Sequence, residues 1–253
     1  MSERDKRVLQ ESQYEYPYHY LPMFGDDNVF RVHQSLAWGI DYMTYMSFVC
    51  DLVRRRAPHS LLDVGCGDGR LAHMIKSSIP HVTGVDLSEQ AIGFARAFNP
   101  NVEFMCADID TLSGKYTCVT LIEVLEHIPD PEIPDFLRVL AGLLQHDGWL
   151  VICVPTVNMP VNKKHYRHYD LSLLRTTVEA YFEVEEHWWL SRRSTLARMI
   201  QFSMCNRLYV LNHKSLLRLL WRAHKRWTYH ADDGSARHLV CVARLRNNTC
   251  SAS

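Results

Sequence analysis

The chain has 253 residues, of which 47% are hydrophobic and 22% charged, with 28 basic and 28 acidic side chains that cancel. That length can bury a full core, and the composition excludes a collagenous, low-complexity or disordered protein. No apolar run is long enough to span a bilayer, and the charged start Met1-Ser2-Glu3-Arg4-Asp5-Lys6-Arg7 is not followed by an apolar stretch, so neither a membrane span nor a signal peptide is expected.

Taken in chain order, the Tyr14 to Tyr20 run is broken by Pro17 and reads as an ordered arm, a flap over the ligands or packing for the sheet edge. His33 to Arg56 carries Leu36, Ile40, Met43, Met46, Val49 and Leu52 near helical spacing and predicts a long helix. Leu61 to Val64 is a buried strand, Arg70 to Ser78 a helix, Val82 to Asp86 a second strand, and Ser88 caps a helix over 89–98. Strands follow at 102–106 and 117–122, a helix at 132–145, a strand at 149–154, and a helix capped by Asp170 running to Tyr181. Strands at 182–189 and 238–245 flank an insertion, Ser191 to Ala236, expected to form two or three short helices. Repeated β-α units predict an α/β fold, a mostly parallel sheet with helices on both faces. A single domain is expected over 1–253, with the arm and first helix in 1–57 and the insertion at 191–236. The eight cysteines form no C-x-x-C pair and read as reduced, which fits a cytoplasmic chain.

The glycines of Asp63-Val64-Gly65-Cys66-Gly67-Asp68-Gly69 turn the first strand into the following helix and let a ligand approach the backbone, while Asp86 ends the next strand as an acceptor for ribose hydroxyls. The spacing is not the G-x-G-x-x-G of a pyrophosphate site. Together with Met105-Cys106-Ala107-Asp108-Ile109, these residues make the stretch from about Ser60 to Leu190 resemble the class I S-adenosylmethionine (SAM)-dependent methyltransferases. The resemblance implies a Rossmann-like seven-stranded sheet of order 3-2-1-4-5-7-6 whose last strand is antiparallel. It also implies SAM as cosubstrate, with Gly65 and Gly67 facing its methionine part above Asp63 and Asp86 on the ribose. Asp108 and Ile109 would take the adenine, and Leu87 and Glu123 complete the cofactor set.

The loop leaving the fourth strand, Glu123-Val124-Leu125-Glu126-His127-Ile128-Pro129, should face the ligand. A helical turn starting at Glu123 would put Glu123, Glu126 and His127 on one face, a hard-donor set for Mg²⁺ or Mn²⁺. E-x-x-E-H with a later histidine is similar to small-RNA 3′-end ribose 2′-O-methyltransferases, and E-x-x-E-H also occurs in ubiquinone-biosynthesis O-methyltransferases. By that resemblance His168 is the fourth ligand, with His165 in reserve. A metal-assisted O-methyl transfer follows, with Glu126, His127 and His165 as the catalytic candidates. Without metal, His127 or His165 is the general base.

Charge is unevenly spread. Between Glu186 and Asp232 there is no acidic residue, while nine cations lie there: Arg192, Arg193, Arg198, Arg207, Lys214, Arg218, Arg222, Lys225 and Arg226. Such a segment suits a small anionic acceptor, phosphorylated or nucleotide-linked, or an anionic membrane surface if the acceptor is a ubiquinone-type phenol. It can equally be a solvated face. RNA would demand a longer basic groove with base-stacking aromatics, so nucleic acid is not the expected partner.

Overall fold

Neighbouring residues of the central strands face opposite sides of the sheet and bury into separate cores. The computed structural model describes residues 35–206 and 208–246, together with Asp5, Lys6, Val8 and the short pairs 23–24 and 30–31, so the Tyr14 to Tyr20 arm lies outside the described residues. Strands β1 (Ser60–Val64), β2 (His81–Asp86), β3 (Glu103–Cys106), β4 (Tyr116–Ile122), β5 (Leu144–Pro155), β6 (Phe182–Arg192) and β7 (Ala236–Leu245) form one seven-stranded sheet. Its order is β3-β2-β1-β4-β5-β7-β6, parallel except that β7 runs antiparallel to both its neighbours. The order expected from the resemblance is the order observed.

Leu61, Cys118, Val151 and Val242 bury on the side covered by α1 (Ser35–Arg56), α2 (Arg70–Ile75) and α3 (Glu89–Phe98). Leu62, Val119, Ile152 and Cys241 bury on the other, under α4 (Ile133–Leu143) and α5 (Leu171–Val178). This is the two-sided burial that makes the strands read as continuous apolar runs. The caps are the expected ones: Ser88 accepts from Ala91 N at the head of α3, and Asp170 from Leu173 N at the head of α5. The described cysteines are all free, with Cys50, Cys118, Cys153 and Cys241 buried.

Several boundaries differ from the sequence reading. α2 stops at Ile75 and α5 at Val178. α4 ends before Gln145, because Leu144 pairs with Tyr116 and the chain is already strand there, five residues ahead of the expected Trp149. The insertion contains two helices, α6 (Thr195–Met204) and α7 (Lys214–Trp227). None of the described helices is long and apolar enough to cross a membrane.

The C-terminal ends of β1, β2, β3, β4 and β5 share one edge of the sheet. Antiparallel β7 brings its start to that same edge, where His238 pairs with Pro155 and with Leu190.

Candidate active site

The turn after β1 is held by the neighbouring strand: Gly65 N and Cys66 N both donate to Val85 O, at 2.8 and 3.0 Å. Gly65 has φ 69°, and a Cβ there would lie 2.4 Å from Val124 Cγ2, so both conformation and contact exclude a side chain. Asp86 closes the turn from β2, its Oδ2 accepting from Gly67 N and its Oδ1 from Ser88 N, each at 2.9 Å. Beneath it Asp63, 4% exposed, accepts from Thr120 Oγ1 at 2.7 Å, and burial pushes its carboxyl up to about 7. Along the same edge Leu87 is 68% exposed and Asp108 is exposed. The Ile109 side chain is buried with Val85 and Leu125.

The loop after β4 departs from the expected helical turn. Glu123 has φ 56°, a left-handed backbone that a non-glycine residue adopts at a cost, and the following 3₁₀ turn is confined to Leu125–His127. The left-handed residue aims the Glu123 carboxyl at the start of β7, still near enough to Glu126 for each buried carboxyl to disfavour ionisation of the other. Its Oε2 lies 3.9 Å from His238 Nε2 and its Oε1 accepts a weak contact from Cys153 Sγ at 3.8 Å. Glu123 is therefore not in the group that Glu126 and His127 form.

That group is completed by His165. Ligand atoms of Glu126, His127 and His165 lie within 4.8 Å of one another, whereas His168, the expected fourth ligand, stands behind His165. The loop over 156–169 folds onto the 3₁₀ turn through the Tyr166 N to Glu126 O hydrogen bond of 2.8 Å. From the N-terminal side Lys6 Nζ donates to His165 O at 3.0 Å and sits over the Tyr166 ring.

Hydrogen bonds define the imidazoles. A carbonyl can only accept, so the 3.0 Å contact of His168 Nδ1 with Met159 O puts the His168 proton on Nδ1 and leaves its Nε2 as an acceptor. His165 Nδ1–H donates to that Nε2 at 2.8 Å, and His127 Nδ1–H to Lys164 O at 3.3 Å. Both rings thus keep Nε2 as an open lone pair. Burial, with nearby positive charge, holds His127 down at about 4 and His165 at about 3, which keeps them neutral at ordinary pH. Glu126 is 0% exposed, neither carboxylate oxygen has a hydrogen-bond partner among the described residues, and burial raises its pKa to about 8. Two neutral imidazole nitrogens and a buried carboxyl without a hydrogen-bond partner among the described residues thus face one another, with the Lys164 ammonium acting on the carboxyl from nearby.

Three further side chains reach the edge without a sequence signal. His238, at the start of β7, stacks on Tyr45 of α1 at 4.6 Å between centroids, and its Nδ1 is buried without a partner among the described residues. Beside it Arg237 Nη1 pairs with Asp41 Oδ2 at 2.9 Å. A lone histidine in an apolar strand and a tyrosine on a long helix look like core residues in one dimension, and only the antiparallel return of β7 sets them opposite Glu123.

Comparison with known proteins fits the sheet order and the glycine turn. Residues 42–202 match the model of a family described as a methyltransferase domain. The chain belongs to that methyltransferase family. Among curated proteins it is similar to the ubiquinone biosynthesis O-methyltransferase of Bordetella avium (strain 197N), 36% identical over 98 residues, which is 36% of this chain and 40% of that protein. The enzyme of the same name from Coxiella burnetii (strain Dugway 5J108-111) is 38% identical over 97 residues, covering 36% and 41%. The matched stretch thus spans about two fifths of these relatives' own length. Among solved structures, magnesium protoporphyrin IX methyltransferase from Synechocystis PCC 6803 with bound SAM shares the fold, with TM-score 0.57, 17% identity and coverage of 96% and 97%. So does the N-methyltransferase NodS from Bradyrhizobium japonicum WM9 in complex with S-adenosylhomocysteine, with TM-score 0.56, 15% identity and coverage of 81% and 86%.

Proposed function

We propose that this methyltransferase is a SAM-dependent O-methyltransferase with a divalent-cation centre at Glu126, His127 and His165. The observation that carries the cation is the unpartnered, fully buried carboxylate of Glu126 facing two nitrogen lone pairs. With two imidazoles and one carboxylate, Mn²⁺ suits the set better than Mg²⁺, which prefers oxygen donors alone. Asp86, Asp108 and the glycine turn hold SAM along β1 to β3, leaving the acceptor the space bounded by Glu123, His238 and the Glu126 loop.

Methyl transfer from a sulfonium is an in-line displacement, so orientation supplies much of the rate. Glu126, His127 and His165 would hold a divalent cation, which would lower the pKa of an acceptor hydroxyl and fix its position. His168 and the Lys164 carbonyl hold the two imidazoles in the tautomer that presents Nε2. Glu123 and His238 limit the acceptor on the opposite side, and burial of Glu126 excludes water from the centre.

Cations do reach this edge, but Arg237 is paired with Asp41, Lys164 faces the buried carboxyls of Glu126 and Glu123, and Lys6 is bonded to His165 O, so the edge is a poor receiver for a phosphate. A hydroxylated aromatic acceptor with an apolar tail fits it better than a phosphorylated one, in keeping with the names of the curated relatives. The test is S-adenosylhomocysteine formation by metal-stripped protein given SAM and either a tailed catechol or a nucleotide-linked sugar. Turnover of the catechol, dependent on added Mn²⁺, is expected. Full turnover in excess chelator removes the cation from the reading and leaves His127 or His165 Nε2 as the base; preference for the sugar overturns the acceptor class.

A further inference from the structure

We propose that the α6–α7 cap is a docking surface for an anionic lipid bilayer. The apolar residues exposed on this protein are concentrated there: of fifteen large hydrophobic side chains exposed among the described residues, nine lie between Leu196 and Trp227. The cap is built against the body through one face only. Leu217, Leu220, Trp221 and His224 point inward, where His224 Nε2 bonds Thr44 Oγ1 of α1 at 2.7 Å and Trp221 packs on the core.

A second apolar stripe faces outward. Leu216, Leu219, Ala223 and Trp227 fall at i, i+3, i+7 and i+11, one line along α7, with Leu216, Leu219 and Trp227 at 42%, 59% and 53% exposure. Arg218, Arg222, Lys225 and Arg226 take the adjoining sector. Leu196, Met199 and Phe202 are exposed on α6. Between the helices, Leu211 N to Met204 O at 2.8 Å and Asn206 N to Tyr209 O at 3.0 Å close a tight turn, and Leu208 stands at its tip 90% exposed. An apolar tip and stripe bordered by cations is the pattern of a segment that lies in the headgroup plane.

Charge decides the occupant. No acidic residue lies among the nine cations of the segment, and Arg198, Lys214, Arg218, Arg222 and Arg226 make no ion pair among the described residues. A second copy docked by the same face would set cation against cation. RNA would find six aliphatic side chains among the nine, with the aromatics Phe202, Tyr209 and Trp227 on three separate elements rather than on one stacking platform. Anionic headgroups neutralise the cations while the acyl boundary covers the leucines. The cap also rises from the sheet edge that carries the site: Arg193 N donates to Ser235 O at 2.7 Å and Ser191 N to Tyr229 O at 2.8 Å, one step from His238. Docked in this way, the acceptor space opens beside the bilayer surface.

The test is co-sedimentation of the full chain with vesicles of phosphatidylcholine alone or with phosphatidylglycerol added. Binding only to the anionic vesicles, weakened by salt, is expected. Neutralising a pair, Arg218→Gln with Arg222→Gln, should weaken it about 25-fold, near fivefold per cation. Leu208→Ser with Leu219→Ser, at positions exposed enough to leave the fold intact, should abolish the binding that survives high salt, while Arg138→Gln on the far surface changes nothing. Absence of vesicle binding by the folded chain overturns the proposal. So does release from vesicles by equal-charge concentrations of RNA, which marks a general polyanion surface, or a concentration-dependent dimer lost in the Leu208→Ser, Leu219→Ser variant.

Discussion

Replacing Glu126 by glutamine separates a metal ligand from an ordinary buried acid, because the two roles predict opposite changes in stability. The substitution keeps volume and removes a carboxyl that, raised to about 8, must take up a proton on folding and has no hydrogen-bond partner among the described residues. A buried group left in that state costs about 1–3 kcal/mol, more when charged. The cation-free variant should therefore be more stable than the cation-free wild type, by a Tm increase of about 2–12 °C at roughly 2–4 °C per kcal/mol for a chain of this size. Cation at a hundred times its Kd adds about 2.7 kcal/mol to the wild type, a rise of roughly 5–10 °C. Loss of the one anionic ligand should remove most of that rise. Thermal unfolding of both proteins in EDTA and in Mn²⁺ should thus show the variant ahead without cation and its lead cut by about 5–10 °C with it. A wild type insensitive to Mn²⁺, Fe²⁺ and Zn²⁺, paired with a variant destabilised in EDTA, would refute the reasoning and make Glu126 a structural acid.

His168→Ala should weaken Mn²⁺ binding about 10–100-fold without removing a ligand, since His165 then loses the acceptor that fixes its tautomer; calorimetric titration of the metal-stripped protein measures this. Asp86→Ala frees Gly67 N and Ser88 N together, so SAM affinity should fall at least about tenfold, and unchanged affinity by calorimetry would remove Asp86 from the site. Gly65→Ala, with φ 69° and a Cβ 2.4 Å from Val124 Cγ2, should cost about 2–4 kcal/mol in denaturant unfolding, partly restored by Val124→Ala. His224, buried between Thr44 and Thr228 and held down at about 4, contributes stability that is full above its unfolded value near 6.5 and is lost as pH falls toward 4. At most about 3 kcal/mol is involved, and His224→Gln should flatten that part of the stability profile.

The two-sided burial, the glycine turn and the caps at Ser88 and Asp170 were legible in the sequence because each depends on residues a few positions apart, whereas the order of the sheet came from the resemblance to the class I methyltransferases. A strand reveals itself by its apolar run, a turn by its glycines and a helix start by an oxygen one residue before it. The edge at which the ligands meet followed too, since in a parallel sheet all strands end on the same side. What the sequence could not decide was which side chains at that edge touch. Glu123 looked like the first member of a helical triad with Glu126 and His127, and only the left-handed backbone at that residue, held by pairing of its N–H with Cys153 O, turned it toward His238. The resemblance put His168 ahead of His165, and the structure reverses them. The Met159 carbonyl and the fold of the 156–169 loop over the 3₁₀ turn set one in front of the other. Local patterns are fixed by neighbours in sequence, whereas a ligand set joins loops some forty residues apart, and its geometry exists only once the sheet has brought them together.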